Sequence, residues 1–305
     1  MTMENKNNPL LCNPATGICE LPATERNTQN QEITAPSKAV KIIYFTDPIC
    51  SSCWGIEPQL RRLKLEYGNN VEIAYHMGGL LPDWSYNSGG ISKPSDVAHH
   101  WDEVSSYYQM PIDGDVWLED PLHSSYPPSI AFKAAQLQDY NKAITFLRII
   151  REMVFLQKKN ITKWEHLSQA AEQAGLNVQQ LQNDYEGNAV LLFREDLNYA
   201  RNMGIRGFPT MFIADTQGNL ETVYGTRPYT SFEEGLLKID PSAIKTIYSK
   251  DWKSLFTSYP TLTRREFATL ADISPEIAEQ ILNQLVDEKE LKRLDTKNGA
   301  LWIRG

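Results

Sequence analysis

Residues 42–75 carry the pattern that most restricts what this chain can fold into. A short apolar run, Ile42-Ile43-Tyr44-Phe45, leads through Thr46-Asp47-Pro48-Ile49 into Cys50-Ser51-Ser52-Cys53-Trp54-Gly55, where a helical pattern opens. From Glu57 to Tyr67, the apolar residues Leu60, Leu63 and Tyr67 recur at helical spacing. Gly68-Asn69-Asn70 then ends the helix, and Val71 to Tyr75 reads as a second strand. Strand, dithiol, helix, strand is one βαβ unit. A bare C-x-x-C fits chance or a fragment of a zinc site equally well, and it is the unit around it that favours a redox pair. A thiol at the first turn of a helix faces unpaired N–H groups and the positive dipole end, which stabilises its thiolate. Cys50 is therefore expected to be the attacking, more acidic and more exposed thiol. Cys53, one turn inside, is placed to resolve a mixed disulfide.

Far downstream, Gly204-Ile205-Arg206-Gly207-Phe208-Pro209-Thr210-Met211-Phe212-Ile213 resembles the cis-proline segment of the thioredoxin superfamily. That resemblance implies a cis bond at Pro209, a strand starting there, and a position against Cys50. A proline removes one N–H and leaves the backbone of Phe208 free to pair with an extended substrate. Phe208 and Pro209 thus join Cys50 and Cys53 as candidate site residues. Met211 to Ala214 and Leu220 to Tyr224, separated by Asp215-Thr216-Gln217-Gly218-Asn219, read as a hairpin that completes the core.

At 305 residues the chain is long enough for two domains, and 41% apolar with 22% charged residues is ordinary for a soluble globular protein. The net charge of −8 argues against a general affinity for nucleic acid or anionic membrane. The most apolar helix, Ala143 to Leu156, is interrupted by Arg148, Arg151 and Glu152 and reads as buried on one face instead of spanning a membrane. Met1 to Pro9 lacks an apolar stretch of the secretory type, which points to the cytoplasm, where a dithiol would be mostly reduced.

Residues 1–38 are rich in Asn, Thr, Pro, Gln and Glu and read as a flexible arm. Residues 39–239 form the thioredoxin domain, with a mostly helical insertion over about 78–203. Its expected helix starts are Ser95 before Val97 to Tyr108, Pro128-Ser129 before Ile130 to Gln138, and a Thr162/Glu165 capping box before Leu167 to Ala174. Cys53-Trp54-Gly55-Ile56-Glu57-Pro58, Lys64-Leu65-Glu66-Tyr67-Gly68, Gly114-Asp115-Val116-Trp117-Leu118, Ala131 to Gln138 and Lys158-Lys159-Asn160-Ile161-Thr162 resemble the cytoplasmic DsbA-like family. That family contains FrnE-type dithiol isomerases and ClpXP adaptor proteins of the Spx-degradation type, and the similarity, over about residues 40–300, is nearer the adaptors. It implies an α/β thioredoxin fold with a DsbA-like helical insertion that forms a lid beside the dithiol. The chain carries Ser51-Ser52 where the adaptors usually have Pro-Glu, and it lacks their histidine-rich amino terminus.

Cys12 and Cys19 flank Pro14 and Gly17, residues that favour a tight loop able to bring two thiols together. An auxiliary redox pair that closes a loop or exchanges with the core dithiol, a zinc site with other Cys or His residues (with all four cysteines it would block the dithiol), and a mobile tail without a role all remain open. No cofactor or resident metal is expected. His99, His100 and His166 lie on helix flanks; His76 and His123 are better placed, though as hydrogen-bonded residues. Asp47, three residues before Cys50, reads first as a turn acceptor, with proton transfer as the lesser reading.

Residues 240–305 read as a small separate unit, with a Thr263/Glu266 capping box, a second helix begun by Ser274-Pro275, and a hairpin across Asn298-Gly299. The order suggests a winged-helix-like module dispensable for the core. Its second helix carries Glu276, Glu279, Asp287 and Glu288, so protein docking is favoured over DNA. The preferred function is thiol-disulfide exchange with protein substrates. The alternative is an adaptor that delivers a regulator to a protease, with the dithiol as a redox or zinc sensor.

Overall fold

The structure is a computed structural model that describes residues 12–13, 17–20, 38, 40–85 and 92–305. The side chain of Cys12 and most of the segment read as a flexible arm lie outside the described residues.

In chain order the elements are β1 (Cys12–Asn13), β2 (Ile18–Glu20), β3 (Val40–Thr46), α1 (Ser51–Gly55), α2 (Glu57–Tyr67) and β4 (Val71–Met77). The insertion supplies α3 (Pro94–Tyr108), α4 (Val116–Glu119), α5 (Tyr126–Gln138), α6 (Tyr140–Leu156), α7 (Trp164–Gln173), α8 (Val178–Glu186) and α9 (Asn188–Asn202). Then come β5 (Gly207–Phe208), β6 (Thr210–Asp215), β7 (Leu220–Tyr224) and α10 (Tyr229–Ile239). The C-terminal unit contains α11 (Trp252–Ser258), β8 (Thr261–Thr263), α12 (Arg264–Ala271), α13 (Pro275–Asp287), β9 (Leu291–Thr296) and β10 (Gly299–Arg304).

The central sheet has the order β4-β3-β6-β7. β3 runs parallel to β4, as a strand-helix-strand unit requires, and antiparallel to β6. Flanked by β4 and β6 in the middle of the sheet, β3 is largely apolar, with Val40, Ile42, Ile43, Tyr44 and Phe45 all buried; half-buried Lys41 and buried Thr46 are its polar residues. Two further three-stranded sheets have the orders β1-β2-β5 and β8-β10-β9. Part of the N-terminal arm is therefore ordered: β2 adds to β5 next to the dithiol, with Cys19 opposite Phe208 and Glu20 opposite Gly207.

Helix ends follow the expected chemistry at some places and depart from it at others. Thr263 and Glu266 form their capping box, and the Ser274 hydroxyl caps α13 by accepting from the Ile277 N–H at 3.3 Å. Ser274→Ala is expected to lower stability by about 1 kcal/mol, read as a drop in thermal midpoint. An unchanged midpoint would remove the cap from the account. The box expected at Thr162/Glu165 does not form: the cap of α7 is Lys163, and the Thr162 hydroxyl donates to Asn160 Oδ1 at 2.6 Å instead. With Lys163 at the N-cap, Thr162 lies one residue before the position from which a hydroxyl accepts from the first-turn N–H groups.

The C-terminal unit has a core of its own around Leu255, Phe256, Leu262, Phe267, Leu282 and Trp302. It also docks onto the thioredoxin domain through buried charge. Glu266, 0% exposed, takes two hydrogen bonds from Arg148 of α6 at 2.8 and 3.1 Å and lies 3.3 Å from Arg61 of α2. Arg148 further binds Glu152 at 2.6 Å, and Arg151 binds Glu57 at 2.7 Å. At the far end, Lys297 reaches Asp102 and Asp115 of the insertion at 2.6 and 2.7 Å.

Candidate functional site

Three elements meet at the dithiol. Cys50 is the N-cap of α1 and Cys53 lies within its single turn; the two sulfurs form a disulfide with a Cα separation of 5.2 Å. The Cys53 N–H donates to Cys50 Sγ at 3.1 Å. That bond, together with the helix start, favours a thiolate on Cys50 once the pair is reduced. Trp54 fixes the helix from behind: its indole N–H donates to the Pro111 carbonyl at 3.0 Å, and Arg148 stacks over its ring at 4.3 Å.

The second element is the chain approaching β6. The peptide bond between Phe208 and Pro209 is cis. Phe208 is fully buried, and its ring packs so close to Gly78 that a Cβ there would fall 1.7 Å from Phe208 Cζ, so only glycine fits. The Pro209 carbonyl accepts from the Gly225 N–H at 2.9 Å, tying this segment to the end of β7.

The third element is the N-terminal strand β2; contact of its cysteine with the dithiol was one of the readings left open, but its seat on β5 was not read from the sequence. Cys19 is itself disulfide-bonded, and its sulfur lies 3.6 Å from Cys50 Sγ and 3.4 Å from Ser52 Oγ. Ser52 in turn shares a 2.7 Å hydrogen bond with the Tyr108 hydroxyl of α3, whose pKa is pushed up to about 12 by burial. The expectation that Cys50 is more exposed than Cys53 is corrected here: both are 0% exposed, because β2 covers the helix start. The only hint in the sequence was the short apolar flank Ile18 beside Cys19.

Behind the dithiol, Asp47 is fully buried. Its carboxylate accepts from the Ile49 and Leu80 N–H groups at 3.1 and 2.8 Å and from the Ser125 hydroxyl at 2.9 Å. Burial pushes its pKa up to about 6, while these hydrogen bonds and the Arg151 guanidinium pull it down. Arg151 binds the Thr46 hydroxyl at 2.6 Å and the Asp47 carbonyl at 3.2 Å, so it braces the turn that leads into Cys50. Ser125 and Tyr108 escaped the reading of the sequence because nothing in their local patterns marks them; Ser52 and Arg151 stood out there only as a departure within the motif and as an interruption of an apolar helix.

The histidines make their contacts elsewhere. His76 Nδ1 lies 2.7 Å from Asp196, which Lys133 also binds at 2.9 Å, and His123 contacts Thr162 at 3.2 Å. Burial pushes Asp196 up, but His76, Lys133 and the Met77 N–H outweigh it and hold the carboxyl below its usual range. Among the described residues, no group of three or more His, Cys, Asp or Glu side chains could hold a metal ion, and no helix is long and apolar enough to cross a membrane.

A thioredoxin family model matches residues 44–234. The solved cytosolic disulfide reductase DsbM from Pseudomonas aeruginosa superposes with a TM-score of 0.53 at 21% identity, covering 65% of this chain and 98% of that one. Fold and site define a thioredoxin-fold protein with a DsbA-like helical insertion and a C-x-x-C disulfide. The ClpXP adapter protein SpxH of Halalkalibacterium halodurans is 32% identical over 98% of this chain and 99% of its own length, and SpxH of Bacillus subtilis is 29% identical over 88% and 90%. This chain belongs to the thioredoxin family and, within it, to the family of the ClpXP adapter protein SpxH.

Proposed function

We propose that this chain is a cytoplasmic adaptor that presents a regulatory protein to the ClpXP protease, with Cys50 and Cys53 as a redox sensor within it. The observation that carries this reading is the full-length likeness to SpxH, which includes the C-terminal unit as well as the thioredoxin domain. Both sulfurs are buried beneath β2, so a protein substrate could reach them only if that strand moved, which supports the adaptor reading over steady turnover. Residues 240–305 would be the protein-docking module, winged-helix-like in layout, with half-exposed Ile277 amid the acidic residues of α13.

A second reading, thiol-disulfide exchange with protein substrates, is favoured by the site itself. Cys50 at the helix start would attack a substrate disulfide, Cys53 would resolve the mixed disulfide, and Phe208 with Pro209 would hold the substrate backbone.

Partner capture separates the two. A Cys50→Ala/Cys53→Ala protein is expected to retain its partner and to speed that partner's degradation by purified ClpXP about as well as the unaltered chain. Capture that occurs only as a disulfide-linked complex with Cys53→Ala, and disappears without Cys50, would replace the adaptor by the enzyme.

A further inference from the structure

We infer that β2 is a tethered pseudo-substrate, seated by strand addition on the Gly207–Phe208 edge, and that the disulfide of Cys19 is the first exchange partner of the reduced Cys50-Cys53 dithiol. The inference deepens the reading above and rests on Cys50 being the reactive thiol.

The geometry is that of a bound extended peptide. An extended ligand adds to an exposed strand edge through main-chain hydrogen bonds and offers alternate side chains to the site. Here the edge is the dipeptide before Pro209, the added strand is the chain's own, and the residue opposite Phe208 is a cysteine in a disulfide. Its sulfur lies 3.6 Å from Cys50 Sγ, where the sulfur of a substrate disulfide would have to lie. The strand is held by its turn: the Thr226 N–H donates to the Gly17 carbonyl at 2.9 Å, and Gly17 has a φ of +66°. A Cβ at Gly17 would fall 1.5 Å from Thr226 Oγ1, so no other residue fits that seat. Ile18, 6% exposed, and Cys19, 0% exposed, are buried by the docking.

The exchange balances without an outside oxidant. The Cys50 thiolate attacks Cys19 Sγ; the Cys50–Cys19 bond forms, and the sulfur joined to Cys19 leaves as a thiolate and takes up a proton. Of the chain's four cysteines, Cys12 is the one whose backbone pairs with Cys19 in β1, and it is the one replaced in the test below. Cys53, losing its proton, then attacks Cys50 Sγ, and Cys19 leaves as a thiolate that is protonated. Two electrons pass from the dithiol to the arm. The arm thereby records the oxidation state of the site, and a partner strand must displace it to reach Phe208. Being covalently attached, it competes as an intramolecular ligand.

The test uses the full chain. In Cys12→Ser/Cys53→Ser protein treated with oxidised glutathione, a non-reducing peptide map is expected to show Cys19 joined to Cys50 within one chain as the main product. Recovery of Cys50 only as its glutathione adduct would overturn the placement. Gly17→Ala in an otherwise native chain is expected to raise the rate at which reduced Cys50 attacks a peptide-disulfide reporter about tenfold, with the chain still folded and its thermal midpoint lowered, since the undocked arm no longer buries Ile18. A measurable rate that is the same in both forms would overturn the masking. A reporter untouched by both forms, with Cys19–Cys50 closure intact, would support the arm's placement and sink only the view of the dithiol as an exchanging pair.

Discussion

Glu266→Ala is expected to destabilise the whole chain by about 3–5 kcal/mol, read from urea unfolding, even though the residue lies far from the dithiol in sequence. Removing one partner of a buried ion pair leaves uncompensated charge in a dry interface, and that cost is of this size. Arg61, Arg148 and Arg151 face Glu57, Glu152 and Glu266 there, so loss of Glu266 leaves a net positive cluster. Burial by itself would raise the pKa of Glu266, but Arg148 and Arg61, with the Thr263 N–H, outweigh it and hold the carboxyl below its usual range. The sign follows from linkage. A carboxyl with a lowered folded pKa contributes stability that is present above its unfolded value, about 4.3, and is lost as pH falls further. Arg148→Met with Glu266→Leu should restore most of the loss, because well-packed apolar groups can replace a buried pair. A single variant within about 0.5 kcal/mol of the unaltered chain would show that the network contributes little. The same network bears on deletion of residues 240–305. The C-terminal unit has its own core, but cutting it away strips Arg61 and Arg148 of Glu266.

Asp47 should titrate with the opposite sign and in a higher window. Its pKa is raised by burial from 3.8 to about 6, so between those values the folded chain holds a proton that the unfolded chain has released. The stability contributed by the protonated group is complete below about pH 4 and lost as pH rises through about 6. A two-unit shift corresponds to about 3 kcal/mol. The stability difference between the unaltered chain and Asp47→Ala is therefore expected to shrink by about that much from pH 4 to pH 7. A difference that stays constant or grows over this range would mean that Asp47 remains ionised and that its hydrogen bonds outweigh its burial.

How far such features could be read in advance depends on how local their causes are. The bounds of α2 and the strand register around Cys50 follow from neighbours in sequence: apolar spacing, Gly68-Asn69-Asn70, and a proline in the first helical turn. The hairpin of β6 and β7 is likewise written in its alternation and its Asp215 to Asn219 turn. Arg148, Arg151 and Glu152 read as interruptions on an apolar helix, yet they are buried because Glu57 and Glu266 arrive from 94 and 118 residues away. Periodicity records which face of an element is apolar; it does not record which distant charge will meet a polar residue on that face.

Short-range pattern and turn chemistry were enough to read the strand-dithiol-helix-strand unit, the dithiol at a helix start and the run of helices between the two halves, while the thioredoxin core as a whole came from resemblance at the cis-proline segment. That Cys19 lies over Cys50, that Asp47 is sealed behind it, and that the C-terminal unit is bound by buried charge became visible only in the folded chain. Strand addition uses backbone groups that every residue carries, and desolvation depends on everything packed around a group. Neither leaves a signature in the residues concerned until the chain has closed around them.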